Sequence, residues 1–296
     1  MLNKKKLAFV YNCRFYTTFA ALYSERTLYR KTKISLTFFT FVFCQSLFAD
    51  DLFTEAQTVA PVARPDVWSP LRNAASLAEV ASVEAGVHYQ NRFAVKELST
   101  KSAQIAVPTH LLNVGAAFSY FGYENYNENI ANLSFARKFS EKFSLSAAVD
   151  YYSVYFSKSE GSKGAVIAQV GIASQPADHL FIGFQAFNPV QTNIKTPVLE
   201  KEIPAVFSLG AAYYFSERVL WGLQIDKEIA ENAQLATEFE YRFLDYMLLR
   251  VGCTAHGELM PSAGFGLGAY HFWLDTNFKY HADLGITSNI GLTFKL

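Results

Sequence analysis

From residue 83 to the C-terminus, the sequence alternates between apolar and polar positions with a period of two. In 233–243, for example, Phe239 and Tyr241 fall on one face, and polar residues such as Glu240 fall on the other. A period of two is typical of a β-strand that lies between an apolar and a polar medium. The same alternation recurs in 205–215, 218–227, 271–281 and 286–296.

Runs of this kind predict about fourteen strands. The predicted strands are 82–93, 100–107, 111–121, 129–139, 142–156, 164–174, 179–188, 205–215, 218–227, 233–243, 246–253, 262–270, 271–281 and 286–296. Most of them are longer than the mean of about 5–6 residues in soluble proteins, and a strand tilted across a bilayer needs about 9–11. The lengths therefore favour an all-β fold, a transmembrane antiparallel β-barrel.

The connections between the predicted strands support the same architecture. They run alternately short, as in 140–141 and 216–217, and longer, as in 122–128, 189–204 and 254–261. Outer-membrane barrels have short periplasmic turns, longer outer loops and an even number of strands. We therefore expect a barrel in the outer membrane with both termini in the periplasm.

The composition fits a barrel surrounded by lipid. Aromatic residues make up 16% of the chain and charged residues only 18%, where soluble domains carry about 25% charged residues. The rings gather near predicted strand ends, as in 120–126 and 151–156, which is typical of the girdles at the two membrane interfaces. The alternative is a soluble β-sandwich with these rings in its core, which would need shorter strands.

Residues 1–49 are predicted to be a leader that contains a secretory signal peptide. Basic residues at 30–33 precede the apolar run 34–43, and Ala49 stands before two acidic residues. The run is too short for a membrane helix, although an anchor is the alternative. Because no internal Met precedes this signal, we hypothesise that translation starts near Leu28 at a non-AUG codon.

Cleavage after Ala49 would change the charge of the chain. The whole sequence has 26 basic and 26 acidic residues, and removing 1–49 leaves 18 basic and 25 acidic residues. A net charge of −7 argues against nucleic acid as a partner. Only Cys253 remains in the shortened chain, so no internal disulfide can form.

The inward face of the predicted barrel carries charges of both signs. Mixed signs favour cross-strand pairing over a selective ring of one charge, and contact with a substrate or a plug is the alternative. The candidate lumen-lining residues are Asp226, Glu238, Glu240, Arg242, Arg250, Asp275 and Lys279.

We find no pattern for catalysis, for a metal or for a cofactor, and we expect none of the three. The sequence lacks a Gly-x-Ser-x-Gly elbow, and its six His have no metal-ligand spacing. His256 and Glu258 are better explained as solvated loop residues than as an acid–base pair. Gly264, Gly266 and Gly268 fall on one strand face, where they leave space for a plug or a neighbouring side chain.

Four motifs give the chain a resemblance to a known family. They are 66–78, in which Asn73-Ala74-Ala75 stands where the family has Asn-Pro-Ala, the hairpin 89–98, Phe187-Asn188-Pro189 at the end of a strand, and the closing hairpin 281–292. The chain resembles the PorV/PorQ-type barrels of Bacteroidota, which share the fold of the FadL-type long-chain fatty-acid transporters. The resemblance implies a fourteen-stranded barrel with an N-terminal segment folded into the lumen.

The sequence thus divides into a leader (1–49), a plug or periplasmic segment (50–81) and a barrel (82–296). In the middle part, prolines break the chain before 71–80, which is predicted to form a short helix; a disordered periplasmic leader is the alternative. The final strand ends on an apolar face that resembles the signal read by the barrel-assembly machinery. The residues of this face are Ile290, Leu292, Phe294 and Leu296.

Two functions remain open at this point. The FadL-type resemblance implies a plugged transport barrel for a small molecule, which could be hydrophobic. The PorV-type resemblance implies an accessory or scaffold barrel that binds another protein in a type IX secretion-like system. The expected partners are outer-membrane lipid, the barrel-assembly machinery and either a protein or a small hydrophobic ligand.

Overall fold

Fourteen of the sixteen strands close into one antiparallel barrel in the computed structural model, which describes residues 60–156, 161–195 and 200–296. Each barrel strand pairs with its neighbours in the sequence, β7 pairs with β10, and β1 closes the barrel against β16. The predicted fold class and strand number are confirmed. The predicted leader, 1–49, lies outside the described residues.

The strands follow the predicted order along the chain. The first seven are β1 (Glu84–Asn91), β2 (Ser99–Val107), β3 (Asn113–Tyr123), β4 (Tyr126–Ser140), β5 (Phe143–Phe156), β6 (Ser162–Ala177) and β7 (Leu180–Phe187). Two short strands, β8 (Asn193–Lys195) and β9 (Glu200–Glu202), form a separate two-stranded sheet. The last seven are β10 (Val206–Ser216), β11 (Val219–Glu228), β12 (Gln234–Leu244), β13 (Met247–His256), β14 (Glu258–Ala269), β15 (Phe272–His281) and β16 (Gly285–Lys295).

The two faces of the barrel wall have opposite character. Outward side chains are apolar and exposed, with Phe239 exposed to 50% and Val251 to 62%. Inward side chains such as Glu240 and Gln90 are polar and buried. A closed barrel leaves no unpaired strand edge, and an apolar outer face suits lipid rather than water. The chain is therefore an outer-membrane β-barrel.

Two connections that were predicted to be long are tight turns. β3 and β4 are joined by residues 124–125, and β13 and β14 are joined at Gly257, where φ is 76°. The prediction of a long loop over 254–261 was wrong, because β13 and β14 stay paired through these residues. β14 pairs with β15 only from Ser262 onward. At Pro261, β14 has no neighbouring strand on the β15 side, so the proline removes no hydrogen bond there.

Short 3-10 helices precede the barrel. The helix predicted over 71–80 is divided into the 3-10 turns Ser69–Leu71 and Ala74–Glu79, after a first turn at Pro61–Ala63. Asn73 caps the third turn by accepting a hydrogen bond from the backbone N–H of Ala75 at 3.1 Å. No helix among the described residues is long and apolar enough to cross a membrane.

Candidate functional site

Residues 60–83, here called the N-terminal segment, contact the inward faces of strands on several sides of the barrel. The side chain of Asn73 donates hydrogen bonds to the carbonyl oxygens of Val62 (2.7 Å) and Ile172 (2.9 Å). Asn113, on β3, donates to the carbonyl oxygens of Leu77 (2.6 Å) and Val80 (2.9 Å). Two amide side chains therefore tie the segment to β3 and β6.

The fit between the segment and the wall depends on small residues. A Cβ atom at Gly183 would lie 1.8 Å from the carbonyl oxygen of Val62, and one at Gly171 would lie 2.2 Å from Oδ1 of Asn73. Both glycines are on inward positions of the wall, at β7 and β6. Asn73 and Ala75 are fully buried, and the hydrogen bond from the N–H of Ala75 to Asn73 forms a tight turn although no proline follows Asn73.

A charge network joins the segment to the opposite part of the wall. Arg64 donates to Oε2 of Glu240 at 3.0 Å, and Nε of Arg250 donates to the same oxygen at 2.9 Å. Nη1 of Arg250 also donates to Asp275 at 2.6 Å, and Glu238 lies 3.9 Å from Arg250. Four of the predicted lumen-lining residues thus form one buried cluster, and mixed charges pair as expected.

Arg64 completes this cluster and was not predicted. Burial disfavours its charge, but Glu240, Tyr214 and Asp66 together outweigh that effect and raise the pKa of Arg64 above its ordinary value. The arginine therefore stays charged inside the barrel and acts as a fixed link between the segment and β12. Its position in a stretch without periodicity gave no signal in the sequence.

The other three predicted lumen residues lie apart from the cluster. Asp226 accepts hydrogen bonds from Gln224, whose own oxygen lies 3.3 Å from the backbone N–H of Val62. The guanidinium of Arg242 lies 5.6 Å from the ring centroid of Trp273. Lys279 is on β15, opposite Thr287 of β16. Asp226 is thus connected to the N-terminal segment through Gln224.

The glycines of β14 make space for the network. A Cβ atom at Gly266 would lie 3.0 Å from Oδ1 of Asp275 and 2.9 Å from Leu248. Bare backbone at this position leaves room for Asp275 to meet Arg250. The expectation that these glycines accommodate neighbouring side chains is confirmed, and a phosphate-binding role is not needed to explain them.

The connection between β7 and β10 folds into the outer part of the barrel. Ile194 and Ile203 are buried against Ile130 and Tyr152, and Lys201 lies 2.6 Å from the Glu128 carboxylate. The hydroxyl groups of Tyr126 and Tyr152 also donate to that carboxylate. This arrangement narrows the barrel at the end opposite the chain termini.

Asn188 starts this connection and shapes its first turn. It has a φ of 48°, accepts a hydrogen bond from the N–H of Thr192 at 2.8 Å and donates to the carbonyl oxygen of Ile203 at 2.9 Å. The connection therefore begins at Asn188-Pro189, as the sequence predicted. That the loop folds inward was not predicted.

Polar side chains are linked in a chain on β4, β5, β6 and β7. Asn132 and Gln169 donate to the two carboxylate oxygens of Asp150 at 2.7 and 2.5 Å, and Gln185 donates to Oε1 of Gln169 at 2.5 Å. We call these four residues the paired wall. The acid at its centre gives the surrounding amides an acceptor.

A second set of amides lies on β1, β15 and β16. Gln90 is the register partner of Asn289, and Asn289 is the register partner of Asn277, so the three side chains form one row across neighbouring strands. We call them the amide row. Their exposed fractions are 0%, 2% and 6%, and their side-chain oxygens have no hydrogen-bond partner in the part of the chain that the structure describes.

Within residues 60–156, 161–195 and 200–296, no group of His, Cys, Asp and Glu side chains could hold a metal ion. His256 and Glu258 flank the turn at Gly257, at the end of the β13–β14 ladder. The described polar side chains inside the barrel form hydrogen bonds and ion pairs, as in the Arg64–Glu240–Arg250 network.

Comparisons with known proteins agree with the fold. No protein-family model matches the sequence, and no curated protein is significantly similar to it. Among solved structures, a Pseudomonas aeruginosa FadL homologue superimposes with a TM-score of 0.60 at 12% identity, covering 85% of this chain and 98% of that one. The CymD monoaromatic hydrocarbon channel gives 0.60 at 12% identity, covering 80% of this chain and 97% of that one.

A third neighbour, the Ralstonia pickettii toluene transporter TbuX, superimposes with a TM-score of 0.56 at 9% identity and covers 83% of this chain and 95% of that one. The fold is therefore FadL-like. At identities of 9% to 12% the comparison shows the fold alone. It therefore confirms the FadL-like fold that the resemblance implies.

Proposed function

We propose that the chain is an outer-membrane channel for small hydrophobic molecules, and that the N-terminal segment is its plug. The main support is the attachment of this segment to opposite parts of the wall, through Asn113 on β3 and Arg64 at β12. The FadL-like neighbours named as a monoaromatic hydrocarbon channel and a toluene transporter support the substrate class. An enzyme has no support in the contacts of the described residues.

The experiment is transport of labelled toluene into proteoliposomes that contain the mature full-length protein. We expect uptake above that of protein-free vesicles, because a barrel offers a path that avoids the polar surface of the membrane. Uptake equal to the protein-free rate, with the barrel shown to be folded, would contradict the channel.

The plug is tested separately by its charged link. Arg64→Gln removes the ion pair with Glu240 and should raise ion conductance in planar bilayers, because the segment would leave its closed position more often. Lys295→Gln is the matched control, since it removes an ion pair with Glu84 that joins two barrel strands and leaves the links of the segment in place. Equal conductance of the two variants would contradict the proposal that Arg64 holds the segment in its closed position.

Membership of the PorV/PorQ-type family stays a proposal that rests on the four sequence motifs. The accessory role in a secretion system gains no support from the three neighbours described above, which are named as a FadL homologue, a channel and a transporter. Purification from native membranes distinguishes the two functions, since an accessory barrel should retain a stoichiometric protein partner.

Export and assembly complete the proposal. We propose cleavage after Ala49 and recognition of β16 by the barrel-assembly machinery through its outward apolar side chains. Ile290 and Leu292 are exposed on that face, and the ring of Phe294 lies 5.1 Å from that of Phe272. A mature N-terminus at Asp50, found by sequencing, would agree with the cleavage, and any later start would contradict it.

A further inference from the structure

A band of apolar side chains lies inside the barrel beside the paired wall. Each of its residues lies two positions from a paired-wall residue on the same strand, towards the end opposite the chain termini. We call these four buried residues, which belong to one cluster, the apolar band: Ile130, Tyr152, Ile167 and Phe187. The interior of an outer-membrane barrel is usually polar and wet. An apolar surface in that position is favourable only under a cover that keeps water away from it.

The β8–β9 hairpin provides this cover. Ile194 of β8 is the register partner of Lys201 of β9, so the two side chains lie on one face of the hairpin. Ile194 and Ile203 are buried in the cluster that contains the apolar band, and Lys201 lies 2.6 Å from the carboxylate of Glu128. One face of the hairpin therefore contacts the wall through two isoleucines and one ion pair.

The hairpin is tied to itself more than to the wall. Among the described residues, β8 and β9 pair with each other and with no barrel strand. The side chain of Asn188 donates to the carbonyl oxygens of Thr192 (3.1 Å) and Ile203 (2.9 Å), and Oδ1 of Asn193 accepts from the N–H of Ile203 at 3.1 Å. A unit that is bonded internally can move as one body about its two ends, because few residues then have to change conformation.

The ion pair can open without leaving a bare charge inside the barrel. Breaking a buried ion pair is costly mainly when the remaining charge has no partner. The Glu128 carboxylate also accepts hydrogen bonds from the hydroxyl groups of Tyr126 on β4 and Tyr152 on β5. Both tyrosines belong to the wall, so they stay with Glu128 when Lys201 moves away. The contact is therefore suited to break and form again.

We propose that the β8–β9 hairpin is a gate of the channel, held closed by Lys201 on Glu128, and that a hydrophobic solute opens it by replacing Ile194 and Ile203 on the apolar band. This inference rests on the proposed channel function and adds how entry is controlled. A solute shifts such an equilibrium only if it binds the open state better than the closed state. The apolar band is covered in the closed state, so uncovering it gives a hydrophobic solute that difference and gives a polar solute none.

The experiment measures how fast a thiol on the hairpin reacts with a charged maleimide. Ile203→Cys, in the mature full-length protein with Cys253→Ser, places the thiol on the buried face of the gate. In lipid nanodiscs it should react slowly, and saturating toluene should accelerate the reaction while glycerol should not. Adding Lys201→Gln should accelerate it about fivefold without any solute, as expected from the loss of one ion pair.

Two further variants separate the gate from a general loss of stability. Lys295→Gln is the matched control, because it makes the same change of charge in an ion pair with Glu84 that joins two barrel strands. Lys201→Arg keeps the cation and should restore slow labelling. Equal rates for Lys201→Gln and Lys295→Gln, or a rate that toluene does not change, would overturn the inference.

A second measurement needs no cysteine, and it decides the gate if Ile203→Cys itself disturbs the closed hairpin. In proteoliposomes, Lys201→Gln should reach half-maximal uptake of labelled toluene at a lower toluene concentration than the unaltered protein, because the solute no longer has to break the ion pair. An unchanged half-maximal concentration, with the barrel shown to be folded, would also overturn the inference.

The inference and the proposed function fail in different ways. If toluene crosses no faster than in protein-free vesicles, the channel is refuted, while labelling of the Lys201→Gln variant still decides whether the ion pair holds the hairpin closed. If toluene crosses and labelling responds neither to toluene nor to Lys201→Gln, the channel stands and the gate is refuted.

Discussion

The paired wall and the amide row show how similar residues behave differently on two sides of one barrel. Both consist mainly of buried Asn and Gln side chains that face the lumen. In the paired wall, Asp150 accepts hydrogen bonds from Asn132 and Gln169. In the amide row, Asn289 lies between Gln90 and Asn277 in the register and no acid stands among them. One carboxylate therefore gives the amides of the paired wall an acceptor that the amide row lacks among the described residues.

The largest effect should come from removing that carboxylate. Asp150→Ala leaves the amides of Asn132 and Gln169 buried without their acceptor, and we expect the free energy of unfolding to fall by about 3 kcal/mol. Urea titration in lipid vesicles measures it. Asp150→Asn, which keeps one acceptor oxygen, should cost less. A change below about 0.5 kcal/mol for the alanine variant would show that the paired wall contributes nothing to stability.

The same substitution on both sides gives the next effect. Asn132→Leu should lower the free energy of unfolding by about 1–3 kcal/mol, because it breaks a buried hydrogen bond to a charged group. Asn289→Leu breaks none among the described residues, so it should leave stability unchanged or raise it. Urea titrations of the two variants measure this difference. An equal fall in the free energy of unfolding for both would mean that the paired wall and the amide row do not differ.

The smallest effect should come from moving an acid into the amide row. Asn289→Asp places a carboxylate between Gln90 and Asn277, where it can accept hydrogen bonds from both, as Asp150 does across the barrel. We expect the free energy of unfolding at pH 8 to change by about 1 kcal/mol or less, since the gain in hydrogen bonds opposes the cost of burying a charge.

The wall was predictable from the sequence and most of its inner contacts were not. A period of two separates lipid-facing residues such as Phe239 from inward residues such as Glu240 without any knowledge of the fold. The pairing of Glu240 with Arg250 also follows once β12 and β13 are neighbours. Arg64 could not be found in this way, because its partner lies 176 positions along the chain and nothing in its local sequence is periodic.

The two sets of amides were missed for a related reason. Polar residues at inward positions look alike in a sequence, and only the strand register decides whether an amide meets an acid. Asn132 meets Asp150 directly across β4 and β5, whereas Asn289 meets two further amides. The tight turns at 124–125 and Gly257 were missed because glycine, proline and polar residues are common to long loops and to short ones.

The pairing of β1 with β16 determines when the barrel can close relative to synthesis of the chain. β1 begins at Glu84, directly after the N-terminal segment, while its partner β16 ends at Lys295, and the two residues form an ion pair of 2.8 Å. The cylinder can be sealed only when almost the whole polypeptide has been made. Because the N-terminal segment precedes β1 in the chain, it is already synthesised when this last seam forms.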